Sequence, residues 1–268
     1  MLSILAIDAA WTETEPTGVA LLKKENGKWI CAALAPSYND FYQLAKGGFV
    51  NWDDKPKGEQ PNIEKLIESS KTILGIESIS LITVDMPVSK IPIVGRREAE
   101  NAISRKFGAK GCSAHTPSVL RPGKIGISYS EGCFKNGYEL GVLNTKSGLI
   151  NHLLEVYPHP ALLRLMNVDY RLPYKAGKTG KFWPDASINE RKVKLFNMYN
   201  EILNVLKKQI HGITLTLPDN LITKPFSNFK RFEDSLDALV CGWIGMKYLE
   251  GKAKAYGDST GAIWVPCQ

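Results

Sequence analysis

The chain has 268 residues, of which 44% are hydrophobic and 23% are charged, and its formal net charge is +7. These are the values of an ordinary globular protein that builds its own core. No run approaches the roughly 20 apolar residues that a membrane-spanning helix needs. The N-terminal segment lacks the basic start of a signal peptide. We therefore expect a cytoplasmic protein that acts away from membranes.

Five cysteines are spread along the chain, and none of them lies in a C-x-x-C pair. An odd number at wide spacing argues against a disulfide framework and against a structural zinc site. This cysteine usage is typical of a reducing compartment. The basic net charge permits an anionic partner without requiring one.

The first part of the chain predicts strands followed by a helix and another strand. LSILAIDAA is a short apolar run typical of a buried strand. TGVALLKK and KWICAALAP follow, and the ENG between them is a hairpin turn signal, so we predict a three-stranded antiparallel meander. NIEKLIESSKTIL has apolar residues at helical spacing, and ISLITVDMP indicates a further buried strand that a proline ends.

The remaining chain predicts mostly helices. A polar-faced helix is predicted in GRREAENAISRKFG. Residues 108–147 are rich in Gly, Ser and Pro, which predicts a loop-rich insertion that could cover a site. The later elements are predicted to be a strand in GLINHLLEVYPHP, long helices in residues 188–210 and from Asp234 to about Leu249, and a short strand in GAIWVP. The sum is a single α/β domain, residues 1–268, with a mixed sheet under helical cover.

Basic residues concentrate in one part of the chain. Residues 171–231 contain 12 Lys or Arg and only 4 Asp or Glu, together with seven aromatic side chains. Basic residues mixed with aromatics suit a phosphate backbone with stackable bases, which favours a DNA or RNA partner. A solvated face above ordinary core aromatics fits the same composition equally well.

Four acidic residues interrupt apolar runs: Asp8, Asp85, Glu155 and Asp237. Asp8 and Asp85 each end a predicted strand. If these strands are adjacent and parallel, both carboxylates emerge at the same edge of the sheet, where sites in α/β folds gather. Each acid alone is more simply a turn or cap residue. Asp234 and Asp237 in particular resemble a capping box at a helix start.

The last helix is nevertheless apolar on almost all sides, and Asp237 lies at the start of one of them. This position implies burial rather than a solvent-facing cap. Four acids in apolar settings favour a shared site. Such a cluster repels itself and is stable only with cations, and hard oxygen ligands suit Mg²⁺ or Mn²⁺. Metal ions held by carboxylates activate water against phosphodiesters.

The order of these features resembles the ribonuclease H-like superfamily, which has an acid on the first strand of a meander, an acid on the fourth strand and a late acid on a helix. DSLDALVCGW is similar to a stretch of RuvC-type junction resolvases. A closer resemblance is to a family of uncharacterised proteins, domain of unknown function 429, that are predicted to be ribonuclease H-like nucleases. It is carried by LAIDAA with TGVAL, VDMPVS, RREAE, SAHTPS, EVYPHPAL, GKTGK with Arg191, DSLDAL and GAIWVP.

The resemblance implies a ribonuclease H-like fold and a metal-dependent nuclease. The implied catalytic acids are Asp8, Asp85, Glu155 and Asp237, and Asp234 is a further metal ligand. The implied phosphate contacts are Arg97, His159, Lys178, Lys181 and Arg191. The chain departs from the family's pattern at Glu100, where Asp is usual, and at Ala9, where Gly is usual.

Two other functions remain open from the sequence. An actin-like kinase or ATPase shares the fold, but such proteins follow the first Asp with Gly so that the backbone approaches phosphate, and here Ala9 and Ala10 follow Asp8. A module that binds nucleic acid without turnover is the other alternative. The choice between DNA, RNA and a small phosphate ester, and the oligomeric state, are not determined by the sequence.

Overall fold

The computed structural model describes residues 1–267, which form one mixed sheet of eight strands and eight α-helices. The strands are β1 Ser3–Asp8, β2 Gly18–Glu25, β3 Lys28–Ala35, β4 Leu81–Val84, β5 Glu139–Leu140, β6 His152–Val156, β7 Ala253–Gly257 and β8 Ala262–Pro266. The helices are α1 Tyr38–Ala45, α2 Ile63–Leu74, α3 Glu98–Phe107, α4 Lys124–Lys135, α5 Pro158–Leu165, α6 Thr179–Phe182, α7 Ile188–Gln209 and α8 Ser227–Leu249.

The sheet confirms the predicted α/β class with mixed strand directions. Its order is β3-β2-β1-β4-β6-β8-β7, and β5 pairs with one end of β6. The first three strands are antiparallel, whereas β4 is parallel to β1 and β6 is parallel to β4. The hairpin between β2 and β3 turns at Asn26 and Gly27, which both have positive φ angles, as the ENG signal predicts.

Two layers of helices cover the sheet. The residues of β1 alternate between them: Ile4 and Ala6 pack in the core formed with α7 and α8, while Leu5 and Ile7 pack in the core formed with α1, α2 and α4. Helix α3 packs against β7 and β8 beside the second layer. Because alternation continues to the strand ends, it also determines the face on which each strand-end acid lies.

The segment 108–147 is more regular than its composition predicts. Helix α4 lies within it and buries Ile125, Tyr129 and Cys133 against the sheet. The glycines and serines of this helix hide its period, because small residues let it pack closely: a Cβ at Gly132 would meet the Ile63 side chain at 2.7 Å. The short elements α1, α5, β5 and β7 were also not predicted. Among the described residues, no helix combines the length and the apolar content needed to cross a bilayer.

Candidate active site

Two acids leave neighbouring parallel strands at the same edge of the sheet. Asp8 is the last residue of β1, and Asp85 directly follows β4. The Asp85 amide donates a hydrogen bond of 2.9 Å to the Ile7 carbonyl, which continues the strand pairing to this point. By alternation, Asp8 lies on the face of Ala6, and Asp85 lies on the face of Thr83, whose hydroxyl bonds the Cys241 carbonyl of α8. Both carboxylates therefore face α8.

Helix α8 brings two more acids to the same place from its interior. It begins at Ser227, seven residues before Asp234, so the prediction of a helix start and a capping box at Asp234 is wrong. Asp234 and Asp237 are both buried. Charged side chains in such a position need partners, because burial removes their hydration.

Close packing of α8 on the sheet determines how near these acids come. Gly18 of β2 pairs with Asp8 in the strand register. A Cβ placed at Gly18 would lie 2.1 Å from the backbone carbonyl oxygen of Asp234. Only a residue without a side chain permits this approach. Gly18 therefore allows the buried turn of α8 to pack close to the end of β1.

Two lysines and a further acid complete the cluster. Lys175 contacts Asp237 and lies 3.3 Å from a carboxylate oxygen of Glu233, while Lys230 contacts Asp234 and lies 3.2 Å from the same oxygen of Glu233. The other oxygen of Glu233 accepts from the Ala176 amide at 2.6 Å. The sequence reasoning missed Glu233 and both lysines, although Glu233 stands directly before Asp234 and shares its buried helix.

The acids of this cluster differ in how well they are compensated. Burial, together with the carboxylates of Asp237 and Asp234, raises the pKa of Asp8 well above its usual range. Burial and Asp237 raise the pKa of Asp85 to about 8, and burial raises the pKa of Asp234 to about 7 against the opposing Lys230. Burial acts on Glu233 too, but Lys175 and Lys230 hold its pKa below the usual value. The cluster contains more carboxyl groups than cations, and the two that no cation contacts are Asp8 and Asp85.

The sequence predicted that four acids meet at one point, but Glu155 leaves the sheet on a different face from Asp8 and Asp85. It pairs with Ile263, which packs against α3, so its side chain leaves the face of the sheet opposite α8. Arg97 holds it with two hydrogen bonds of 2.7 and 2.9 Å, and the Val88 amide donates a third at 3.0 Å. Glu155 therefore has a full set of partners at the border of the cluster.

A chain of hydrogen bonds connects Arg171 to the acid cluster. Arg171 Nη2 lies 2.6 Å from His159 Nε2, and His159 Nδ1 lies 3.3 Å from the Tyr174 hydroxyl, which donates to Asp237 at 2.8 Å. Arginine only donates, so His159 Nε2 accepts and its proton is on Nδ1. Burial and the neighbouring cations lower the pKa of His159 well below its usual value, in agreement with a neutral ring.

The five predicted phosphate contacts lie in different environments in the structure. Arg97 is bound to Glu100 and Glu155, and Arg191 donates to the backbone carbonyls of Trp183 and Pro184. His159 belongs to the buried hydrogen-bond chain. Lys178 lines a cleft beside the cluster, and Lys181 is exposed to solvent.

That cleft has a volume of about 430 Å³, within the range of small-molecule sites. Its lining includes four acids, Asp85, Glu100, Glu155 and Glu233, together with several basic residues. The basic residues are His115, Arg171, Lys175, Lys178 and Lys230. Substrate entering here would meet both the acid cluster and fixed positive charge.

The comparison with protein families gives a match over most of the chain. The model for proteins of unknown function (DUF429) matches residues 18–260, most of the chain. The chain belongs to the DUF429 family. The matched range contains Asp85, Glu155, Asp234 and Asp237, whereas Asp8 precedes it. No curated protein and no solved structure matches the chain.

The donors of this DUF429 protein fit a hard divalent cation in chemistry. Within residues 1–267, no three His, Cys, Asp or Glu side chains are arranged as ligands of one metal ion. The charge balance and the donors are nevertheless suitable: Asp234 Oδ2 is buried without a hydrogen-bond partner, and the pKa values of Asp8 and Asp85 are raised by burial and by neighbouring carboxylates. Carboxylate oxygens in excess of their cations are the ligands that Mg²⁺ and Mn²⁺ prefer.

Proposed function

We propose that this DUF429 protein is a divalent-metal-dependent nuclease of the ribonuclease H-like type, acting on DNA or RNA in a reducing, cytoplasmic compartment. The observation that carries the proposal is the convergence of Asp8, Asp85 and Asp237, from two neighbouring parallel strands and a helix crossing them. The strand order β3-β2-β1-β4-β6 supports it, because it joins an antiparallel meander to parallel strands as that fold requires.

Asp8, Asp85 and Asp237 would hold Mg²⁺ or Mn²⁺, with Asp234 as a further ligand. The ion supplies activation of water and charge stabilisation for phosphodiester cleavage. Lys175 contacts Asp237 and Lys230 contacts Asp234, so the two ammonium groups offset part of the negative charge of these acids. Lys175 also lines the cleft, where its ammonium group stabilises negative charge on the phosphoryl group. Glu155 and Arg97 form a rigid border that positions the end of β4.

The test is cleavage of labelled DNA and RNA, single-stranded and duplex, by wild-type protein and Asp8→Asn. We expect cleavage that requires Mg²⁺ or Mn²⁺, is abolished by EDTA, and falls by roughly a hundredfold or more in Asp8→Asn, because one ligand and its charge are lost. Asp185→Asn is the matched control, since Asp185 is exposed and outside the cluster. It should cleave as the wild type does.

Equal cleavage by wild type and Asp8→Asn would contradict the proposal, as would cleavage that survives EDTA. Salt-sensitive binding of nucleic acid with no turnover under any metal would point to a binding module instead. Thermal unfolding of Asp8→Asn accompanies the assay, so that a loss of activity is not confused with a loss of fold.

A further inference from the structure

Two cations that line the cleft have no anionic partner. Arg171 and Lys178 both line the cleft. Neither forms a salt bridge with a carboxylate anywhere in the described chain, residues 1–267. Lys175 and Lys230, which line the same cleft, are in contrast paired with the acid cluster. The unpaired cations are therefore free to bind something else.

Arg171 is held in place but incompletely satisfied. Its backbone amide donates to the Lys110 carbonyl at 2.9 Å, and its guanidinium reaches His159 at 2.6 Å and the Gly111 carbonyl at 3.4 Å. Its Nε is buried and has no hydrogen-bond partner. A buried donor without an acceptor is costly, so the guanidinium of Arg171 is not fully satisfied by the protein.

The neighbouring groups show that the positive charge is concentrated. Burial and the charge of Arg171 lower the pKa of Lys178, and burial, Lys178 and Arg171 lower the pKa of His115. Repulsion of this kind is relieved when an anion enters. Phosphate suits such a site, since guanidinium and ammonium groups form strong charge-assisted hydrogen bonds with its oxygens.

We propose that Arg171 and Lys178, with His115 beside them, form a subsite for the terminal phosphate of a single-stranded nucleic acid or a nucleotide. Two permanent cations without acidic partners match a terminal phosphate, which carries about two negative charges at neutral pH, better than an internal phosphodiester with one. The volume of about 430 Å³ is large enough for a nucleotide.

The subsite deepens the proposed function and rests on it for the identity of the substrate. The hydrogen bonds from Arg171 through His159 and Tyr174 end on Asp237, so the arginine is anchored to the acid cluster itself. A phosphate bound by Arg171 is thereby held at a set position relative to the acids. This arrangement would favour substrates in which the distance from the terminal phosphate to the cleaved bond matches the distance from Arg171 to the acid cluster.

The test is isothermal titration calorimetry in EDTA, so that a metal site contributes nothing. The ligands are 5′-AMP, 3′-AMP, adenosine and the dinucleoside monophosphate ApA, which has only an internal phosphate. We expect one or both monophosphates to bind wild-type protein at least roughly tenfold more tightly than adenosine or ApA. The 5′ and 3′ monophosphates distinguish the two kinds of chain end.

Arg171→Met and Lys178→Met should each weaken monophosphate binding by roughly tenfold or more. Lys208→Met, an exposed residue outside the cleft, is the matched control and should bind as the wild type does. Lys178→Met changes a partly exposed side chain, so it keeps the test decisive if Arg171→Met fails to fold. Circular dichroism melting checks the fold of each variant.

Equal affinity for adenosine and the monophosphates would overturn the subsite, and so would unchanged binding in Lys178→Met. ApA binding as tightly as the monophosphates would overturn the assignment to a terminal phosphate. Asp8→Asn should retain monophosphate binding while losing cleavage. If the wild-type protein binds monophosphates but cleaves no substrate, the proposed nuclease function fails while the subsite stands.

Discussion

The acids of this protein differ less in their burial than in the partners that reach them. Glu233 has two ammonium groups and a backbone amide, and its pKa is lowered. Asp8 and Asp85 have no comparable donors, and burial raises the pKa of each. Burial of an uncompensated carboxylate costs free energy. Asp8 and Asp85 therefore lower the stability of the fold.

Asp85 should make the metal-free protein less stable as the pH rises. Its pKa is raised from 3.8 to about 8, so the folded protein keeps a proton that the unfolded chain has lost between these values. The stability that the protonated Asp85 carboxyl contributes is therefore fully present below pH 4 and is lost as the pH rises towards 8. Asp85→Asn removes this titration, and at pH 8 it should be more stable than the wild type by on the order of 2 kcal/mol.

Urea unfolding in EDTA at pH 5 and pH 8 measures this effect for the wild type, Asp85→Asn and the exposed control Asp185→Asn. The advantage of Asp85→Asn should grow between the two pH values, while the control should show none. Under the proposed metal binding, saturating Mg²⁺ should reverse the order at pH 8, because an ion held by the folded wild-type site would stabilise that state. An advantage that does not change with pH would show that Asp85 does not titrate in this range.

At the scale of elements, α8 determines the site by how closely it lies on the sheet. Glycines lie on both sides of the contact and leave room for close packing. Gly18 of the sheet faces the Asp234 backbone, while Gly242 and Gly245 of the helix face Leu22 and Ile4 of the strands. The helix is buried nearly throughout. Acids in such a helix are placed by backbone packing, which is stiffer than any side-chain contact.

Gly18→Ala should therefore damage both stability and activity. Its Cβ would lie 2.1 Å from the Asp234 carbonyl oxygen, so the helix must move away from β2. Overpacking of this kind costs about 1–3 kcal/mol, and we expect urea unfolding to show it together with reduced cleavage. Gly95→Ala is the control, because a Cβ there meets nothing within 4 Å. Full activity in Gly18→Ala would show that the separation of α8 from β2 does not matter for the site.

At the scale of the whole molecule, the basic charge is divided between a surface and a cleft. Most of the lysines in residues 171–231 lie outside the cleft, on α7 and its neighbours. Only Arg171, Lys175, Lys178 and Lys230 of this stretch line the cleft, and two of these are paired with acids. Binding through the cleft therefore involves few phosphate contacts, whereas binding along the basic surface would involve many.

Salt dependence distinguishes these two modes for a labelled single-stranded oligonucleotide bound to Asp8→Asn. Two phosphate contacts predict that the logarithm of the binding constant falls with the logarithm of salt concentration with a slope of about −1.4. Fluorescence anisotropy between low and moderate salt measures it. A slope several times steeper would show that the basic surface, rather than the cleft, carries the affinity.

The sequence predicted the meander, the later parallel strands and the long helices, because these depend on local periodicity and turn chemistry. It also predicted that Asp8 and Asp85 meet, since parallel neighbouring strands end at one edge. It did not predict α4, where small residues hide the helical period. Nor did it predict the start of α8, because its polar first turns lack the apolar pattern that continues from Leu236 onward.

By itself, the sequence determined which residue types interrupt the core: carboxylates at strand ends and in a buried helix, where they cannot stay without cations. Only the tertiary structure decided which of them belong together. Strand alternation turned Glu155 towards Arg97 on the other face, and the packing of α8 added Glu233, Lys175 and Lys230. These contacts join residues far apart in the chain, and their geometry depends on strand register and the distance between helix and sheet, which no local pattern encodes.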